Sequence, residues 1–142
     1  MIVVDTNVVS EALRTAPDRK VIAWLDAQPI ETLFLPAIGY AELMLGVRQL
    51  PPGKRRTGIA ESLDRVLSEL FGDRTLPFDL AAAKAYADIV TDARKQGLAL
   101  SIADAQIASI ARSRNFRIAT RDSAFAHAGV AVINPWDFLP GE

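Results

Sequence analysis

The chain begins with an uninterrupted apolar run, Ile2-Val3-Val4, that stops at Asp5-Thr6-Asn7 before apolar residues resume at helical spacing from Val8 to Leu13. Three β-branched residues without polar alternation fit a central parallel strand buried on both faces. Short runs of similar character recur at Thr32–Leu35, Phe116–Thr120 and Val130–Ile133, with a weaker one at Thr75–Pro77. Between them the apolar residues repeat at helical intervals, predicting helices over Val8–Leu13, Lys20–Ala27, Ala37–Leu50, Gly58–Phe71, Ala81–Ala93 and Ile102–Arg112. Strands alternating with helices require crossover connections, so the expected class is α/β with a central, mostly parallel twisted sheet. The stretch from Ala37 to Lys95 has little strand in it and predicts additional helices packed beyond the sheet. No repeat or low-complexity linker interrupts the pattern, and one domain over residues 1–142 is expected.

Composition removes several chemistries. Half of the 142 residues are hydrophobic, enough for a real core. Without cysteine, disulfides, thiolate nucleophiles and cysteine-based zinc or iron–sulfur sites are excluded. With His127 as the sole histidine, two-histidine acid–base catalysis and multi-histidine metal sites are excluded too, and no G-x-S-x-G elbow is present. No stretch approaches the roughly 18 consecutive apolar residues of a membrane span, and no basic leader precedes Asp5, so a cytoplasmic protein that does not enter membranes is expected. A formal net charge of −1 means that any nucleic acid would have to be held by local basic patches.

Two such patches stand out. Pro51-Pro52-Gly53 breaks the chain and Lys54-Arg55-Arg56 follows at once, reading either as a solvated loop opening a helix or as an RNA- or partner-contacting patch. Arg112, Arg114, Arg117 and Arg121 form a second basic neighbourhood. Trp24 and Trp136 read as core anchors rather than stacking platforms. Ala37–Leu45 is apolar enough for either an interface or the core.

The acidic residues carry the sharper signal. Asp5 falls at the carboxyl end of the first strand, where ligands bind in open α/β sheets, although an ordinary helix cap explains it when taken alone. Ser101 and Asp104 make the capping-box pattern before an apolar helix. Asp122 follows the strand-like Arg117–Thr120, putting a second carboxylate at a second strand end. Glu42 lies in a sparsely charged helix, where it is either buried and in need of compensation or turned to the surface. If these four converge at one pole, their mutual repulsion calls for a cation. A set of hard oxygens without sulfur or imidazole selects Mg²⁺, or Mn²⁺ in its place, and points to phosphoryl chemistry.

Val3–Val8 (VVDTNV), Ala41-Glu42-Leu43 with Gly46, Ala103-Asp104-Ala105 with Ile107-Ala108, Ala119-Thr120-Arg121-Asp122 and Ile133-Asn134-Pro135-Trp136 occur in order across the chain. This set resembles the PIN-domain proteins of the VapC/FitB-like toxin group. The resemblance implies a three-layer α/β/α fold and an Mg²⁺- or Mn²⁺-dependent ribonuclease site. It further implies a toxin, commonly a homodimer, that is neutralised by a small cognate antitoxin protein. It maps the family's acidic positions onto Asp5, Glu42, Asp104 and Asp122, with Asp5, Asp104 and Asp122 as the expected metal ligands. The supporting hydroxyl and amide positions fall on Thr6, Asn7 and Thr120. Arg121 and the Lys54-Arg55-Arg56 run are candidates for RNA contact. One departure is visible: many members carry Asn after the last-but-one strand and an Asp-Phe pair three residues later, whereas this chain reads Asp122-Ser123-Ala124-Phe125.

Other readings fit less well. A haloacid-dehalogenase-like phosphatase needs a second Asp two residues after the first, and that position is Asn7. A phosphorylated receiver domain lacks its neighbouring acidic pair. A catalytically inactive PIN-like interaction module remains the non-enzyme alternative, against which all four acidic positions are filled.

Overall fold

The computed structural model describes residues 1–141. Five strands, β1 (Ile2–Val4), β2 (Leu33–Pro36), β3 (Thr75–Leu76), β4 (Arg117–Ala119) and β5 (Val132–Ile133), form one sheet in the order β3-β2-β1-β4-β5. Every neighbouring pair is parallel. Six helices flank it: α1 (Thr6–Ala12), α2 (Arg19–Ala27), α3 (Ala37–Arg48), α4 (Lys54–Leu70), α5 (Leu80–Lys95) and α6 (Ile102–Ser113). Short 3₁₀ turns occupy Ile30–Thr32, Ser123–His127 and Pro135–Asp137.

Alternation along β1 divides the interior. Ile2 and Val4 join Val8, Trp24, Leu33, Leu63 and Phe71 in a core under α1–α4, while Val3 points the other way and packs with Ile89, Ile107, Ile118 and Phe125 under α5 and α6. A sheet covered on both faces explains why its strands read as continuous apolar runs. The result is the expected three-layer α/β/α arrangement.

Element boundaries agree with the sequence within two residues except at the start of α4. Helix α4 starts at Lys54 rather than Gly58, so the basic run is the first turn of a helix and not a loop. Apolar periodicity could not reveal that turn, because Lys54 and Arg55 are solvent-exposed. Strand β5 begins at Val132 rather than Val130, because the chain is still leaving a turn at Gly129, whose φ of +67° suits glycine. Trp24 is a core residue as expected, with 3% of its surface exposed. The stretch Ala37–Leu45 is split: Gly39 and Leu43 are buried, whereas Tyr40 and Leu45 are exposed.

Candidate functional site

The chain runs outward from β1 through β2 to β3, then returns to lay β4 and β5 on the other side of β1. The connections therefore diverge beside β1, and the crevice at the carboxyl ends of β1 and β4 is the topological switch point of the sheet. Asp5 extends β1 into that crevice, its N–H donating to the Ala119 carbonyl at 3.0 Å.

Asp5 does cap α1, as ordinary helix chemistry predicts. Its Oδ1 accepts from the Thr6 N–H at 2.8 Å. Its Oδ2 accepts from the Thr120 hydroxyl, also at 2.8 Å. Asp5 is only 5% exposed and Thr120 is fully buried. The Thr120 Oγ1 in turn accepts from the Asn7 side-chain amide and from the Asp122 N–H, each at 3.0 Å. One hydroxyl thus uses its full capacity of one donor and two acceptors to lock β1, α1 and the segment after β4 together. Because Thr120 gives its proton to Asp5, Asn7 must present its NH₂ to Thr120. That fixes the amide orientation and leaves Asn7 Oδ1 as a buried oxygen without a partner.

Asp122 caps the Ser123–His127 turn through the Ala124 N–H at 2.9 Å and is half-buried. Asp104 lies in the first turn of α6, where Ser101 Oγ accepts from its N–H at 3.1 Å. Glu42 reaches the site from α3. That helix approaches α1 closely because Gly39 has no side chain: a Cβ there would lie 3.3 Å from Pro36 Cγ and 3.4 Å from Thr6 Cγ2. The expectation of a buried Glu42 is corrected, since it is exposed and stands at the mouth of the crevice. Its helix is sparsely charged because Gly39, Leu43 and Val47 face inward, and the exposed face also carries Tyr40 and Leu45.

Asp5, Glu42 and Asp104 each feel neighbouring carboxylates. Loss of water raises the Asp5 carboxyl above the usual carboxylate range, the bonds from Thr120 and Thr6 pull the other way, and the charges of Asp104 and Asp122 raise it further. Glu42 is raised by partial desolvation and then by Asp5 and Asp104. Asp104 is raised by desolvation, held down somewhat by Ser101, and raised again by Asp122. No basic side chain offsets any of the three. Among the described residues, however, no three acidic or imidazole groups are drawn tightly enough to form a ready-made metal cage. The site is a loose acidic cluster around one buried aspartate. Its hard-oxygen donors, absent counter-charge and orphan Asn7 Oδ1 suit an ion such as Mg²⁺, which binds through one or two carboxylates, waters and substrate phosphate rather than a protein cage.

A groove of about 390 Å³ opens beside Thr6 and Glu42 and is floored by Leu43, Val47 and Leu63 of α3 and α4. Leu13 and Ile59 continue it into recesses edged by Lys54 and Arg55, whereas Arg56 faces a separate recess beside Pro52 and Asp64. The second basic neighbourhood also separates. Arg114 pairs with Asp79 at 3.0 Å, Arg112 lies against Gly129, and Arg117 begins β4 at the opposite pole. Only Arg121 of that group flanks the acids. Its guanidinium lies over the Trp136 ring, 4.7 Å from the centroid, a pairing the sequence reading did not anticipate. The parallel pairing of Phe116–Thr120 with Val130–Ile133 would have suggested it, since the residues that follow the two strands leave the sheet at the same edge.

Comparison with known proteins agrees with this fold. The PIN domain family model matches residues 2–131. The VapC ribonuclease Y4jK of Sinorhizobium fredii is 48% identical over 138 residues, covering 96% of this chain and 99% of that protein. The crystal structure of FitAcB from Neisseria gonorrhoeae superposes with a TM-score of 0.90 at 44% identity, covering 97% of this chain and 100% of that one. That of VapBC-5 from Mycobacterium tuberculosis, a member of the VapBC family of toxin–antitoxin systems, does so with a TM-score of 0.67 at 27% identity, covering 93% and 96%. By its fold, by the order of its acidic residues and by these likenesses, the chain belongs to the PIN domain family.

Proposed function

We propose that the chain is an Mg²⁺- or Mn²⁺-dependent endoribonuclease that hydrolyses RNA phosphodiester bonds as the toxin of a toxin–antitoxin pair. The observation that carries this reading is the uncompensated acidic cluster around Asp5 at the switch point of the sheet. Likeness to a VapC ribonuclease and to a member of a toxin–antitoxin family supports the substrate class and the pairing.

Asp5 and Asp104 are the residues that would hold the ion, directly or through its waters, with Asp122 as a further ligand. Bound there, the ion would polarise the scissile phosphate and lower the pKa of a water. Asp5 is suited to its part because each of its oxygens already accepts one close hydrogen bond, which fixes the rotamer and leaves lone pairs free. Thr120, Thr6 and Asn7 hold that arrangement. Glu42, exposed at the mouth and raised in pKa, is placed to take the proton of an attacking water. Lys54 and Arg55 edge the furrow leading from the acids and are suited to phosphate contacts along a strand. No covalent intermediate with the protein is needed.

A ribonuclease acting in the compartment that holds its own cell's RNA must be restrained, which is the part assigned to a cognate antitoxin. That compartment is the cytoplasm. No helix among the described residues is long and apolar enough to cross a membrane. The exposed Tyr40 and Leu45 of α3 offer apolar surface on which a homodimer would form.

The test is cleavage of total cellular RNA by the purified, antitoxin-free chain with Mg²⁺, with Mn²⁺ or with chelator, beside Asp5→Ala and Asp104→Ala. Metal-dependent cleavage absent from both folded variants is the expected result. Equal cleavage by all three proteins, or none by metal-loaded wild type on any RNA, would refute the proposal.

A further inference from the structure

Arg121 presents a physical puzzle. It adjoins Asp122, and the acids near it lack any cation, yet among the described residues it makes no ion pair within 4.0 Å. Exposed ion pairs are weak, so a guanidinium in this position is free to settle on another partner. Here its guanidinium carbon lies over the Trp136 ring, 4.7 Å from the centroid.

The ring is held in place from below. Thr120 N–H donates to the Ile133 carbonyl at 2.9 Å, so the chain segments that follow β4 and β5 leave the sheet in fixed register. Asn134 Oδ1 then accepts from the Trp136 N–H at 3.0 Å and sets the 3₁₀ turn that carries the indole, with Pro135 buried at its start. Trp136 is half-buried and packs on the core beneath α1–α4, so its ring is a fixed platform. An indole face is the best aromatic partner for a guanidinium, and stacking occupies the face of that group while leaving its N–H edge open.

We propose that Trp136 is a positioning residue that keeps Arg121 off the acidic cluster and presents its N–H edge to a backbone phosphate of the RNA next to the scissile bond. The proposal rests on the ribonuclease reading given above. Two consequences follow from the geometry. An Arg121 free to pair with Asp122 would occupy a carboxylate that the reaction needs. The same residue held on the indole offers a planar fork suited to two phosphate oxygens, beside a cluster that by itself repels RNA.

The experiment measures binding of a fluorescein-labelled, single-stranded RNA of mixed sequence in chelator, by anisotropy across a range of KCl concentrations, together with steady-state cleavage in Mg²⁺. Arg121→Ala should bind about tenfold more weakly at low salt and lower the slope of log affinity against log salt by about 0.7, the loss of one phosphate contact on a single strand. Trp136→Leu keeps every charge and should nonetheless reproduce most of that change, with a raised KM. Trp136→Phe, which keeps an aromatic face, should restore most of it. A ring with a merely structural role would alter melting temperature without changing the salt slope. If wild type binds and cleaves RNA while Arg121→Ala or a folded Trp136→Leu keeps the wild-type slope and affinity, the proposal is overturned and the ribonuclease reading stands. If wild type neither binds nor cleaves RNA, both are overturned.

Discussion

Thr120 donates its hydroxyl proton to Asp5 at 2.8 Å, and the same oxygen accepts from Asn7 and from the backbone of Asp122. Thr120→Val keeps the shape and removes all three bonds inside a fully buried site. Leaving buried polar groups unmatched costs about 1–3 kcal/mol, so chemical denaturation should show a loss of that order. Because the aspartate loses its orienting partner, cleavage should also fall by about 10–100-fold. Thr120→Ser, which retains the hydroxyl, should recover most of both. A valine variant as stable and active as wild type would show that the hub is incidental.

Asp104 raises the charge density around Asp5 and Glu42 without a counter-cation. Asp104→Asn should therefore melt a few degrees above wild type in chelator, and should lose most of the stabilisation that Mg²⁺ is expected to confer on the wild-type chain. Differential scanning fluorimetry with and without Mg²⁺ reads both effects. A variant that melts lower than wild type and keeps the full Mg²⁺ shift would contradict the idea of a shared ion site.

The pH dependence has a definite sign. The carboxyls of Asp5, Glu42 and Asp104 all titrate above their ordinary range in the fold. Between the ordinary and the raised values the folded state binds more protons than the unfolded one, so stability falls as pH rises through that window. Metal-free protein should accordingly melt higher at mildly acidic pH than at neutral pH. The gain should shrink in Asp5→Asn and vanish when saturating Mg²⁺ neutralises the cluster. A melting temperature that climbs steadily from acid to neutral pH in chelator would run against this account.

Two glycines of α3 should respond differently to alanine. Gly46 has nothing within 4 Å of where a Cβ would sit, so Gly46→Ala should stabilise the protein by about 0.5–1 kcal/mol through helix propensity alone. At Gly39 the same change meets Pro36 and Thr6, and the gain should be cancelled or reversed as α3 is pushed from α1. Cleavage should drop for Gly39→Ala and not for Gly46→Ala, since only the former displaces Glu42. Equal gains at both positions would mean that the close approach of α3 has no part in building the site.

The sequence disclosed these features unevenly, for physical reasons. β1 could be read to the residue because a strand buried on both faces is apolar at every position. α4 was misjudged at its start because an exposed first turn leaves no apolar period. Asp5, Asp104 and Asp122 were legible as strand-end and helix-start residues, and their grouping followed from parallel topology. Glu42 was harder to place, since whether a helix position faces outward depends on what packs beneath it. The threefold role of Thr120 lay beyond sequence reasoning, because its partners come from residues 5, 7 and 122. Arg121 and Trp136 were each noticed and assigned separate parts, as their pairing exists only once β4 and β5 lie side by side.

The separation of Asp5 from Thr120 by 115 residues also has a bearing on the order of events during synthesis. A ribosome delivers Asp5 first and the segment after β4 nearly last. Until Thr120 has emerged and β4 has slotted beside β1, the aspartate lacks one of its two anchoring bonds and Asp122 is not yet in place. The acidic site is thus incomplete for most of translation and closes only when β4 and the segment after it have been added. If the chain cleaves RNA as proposed, the order of its strands delays that activity until synthesis has passed β4.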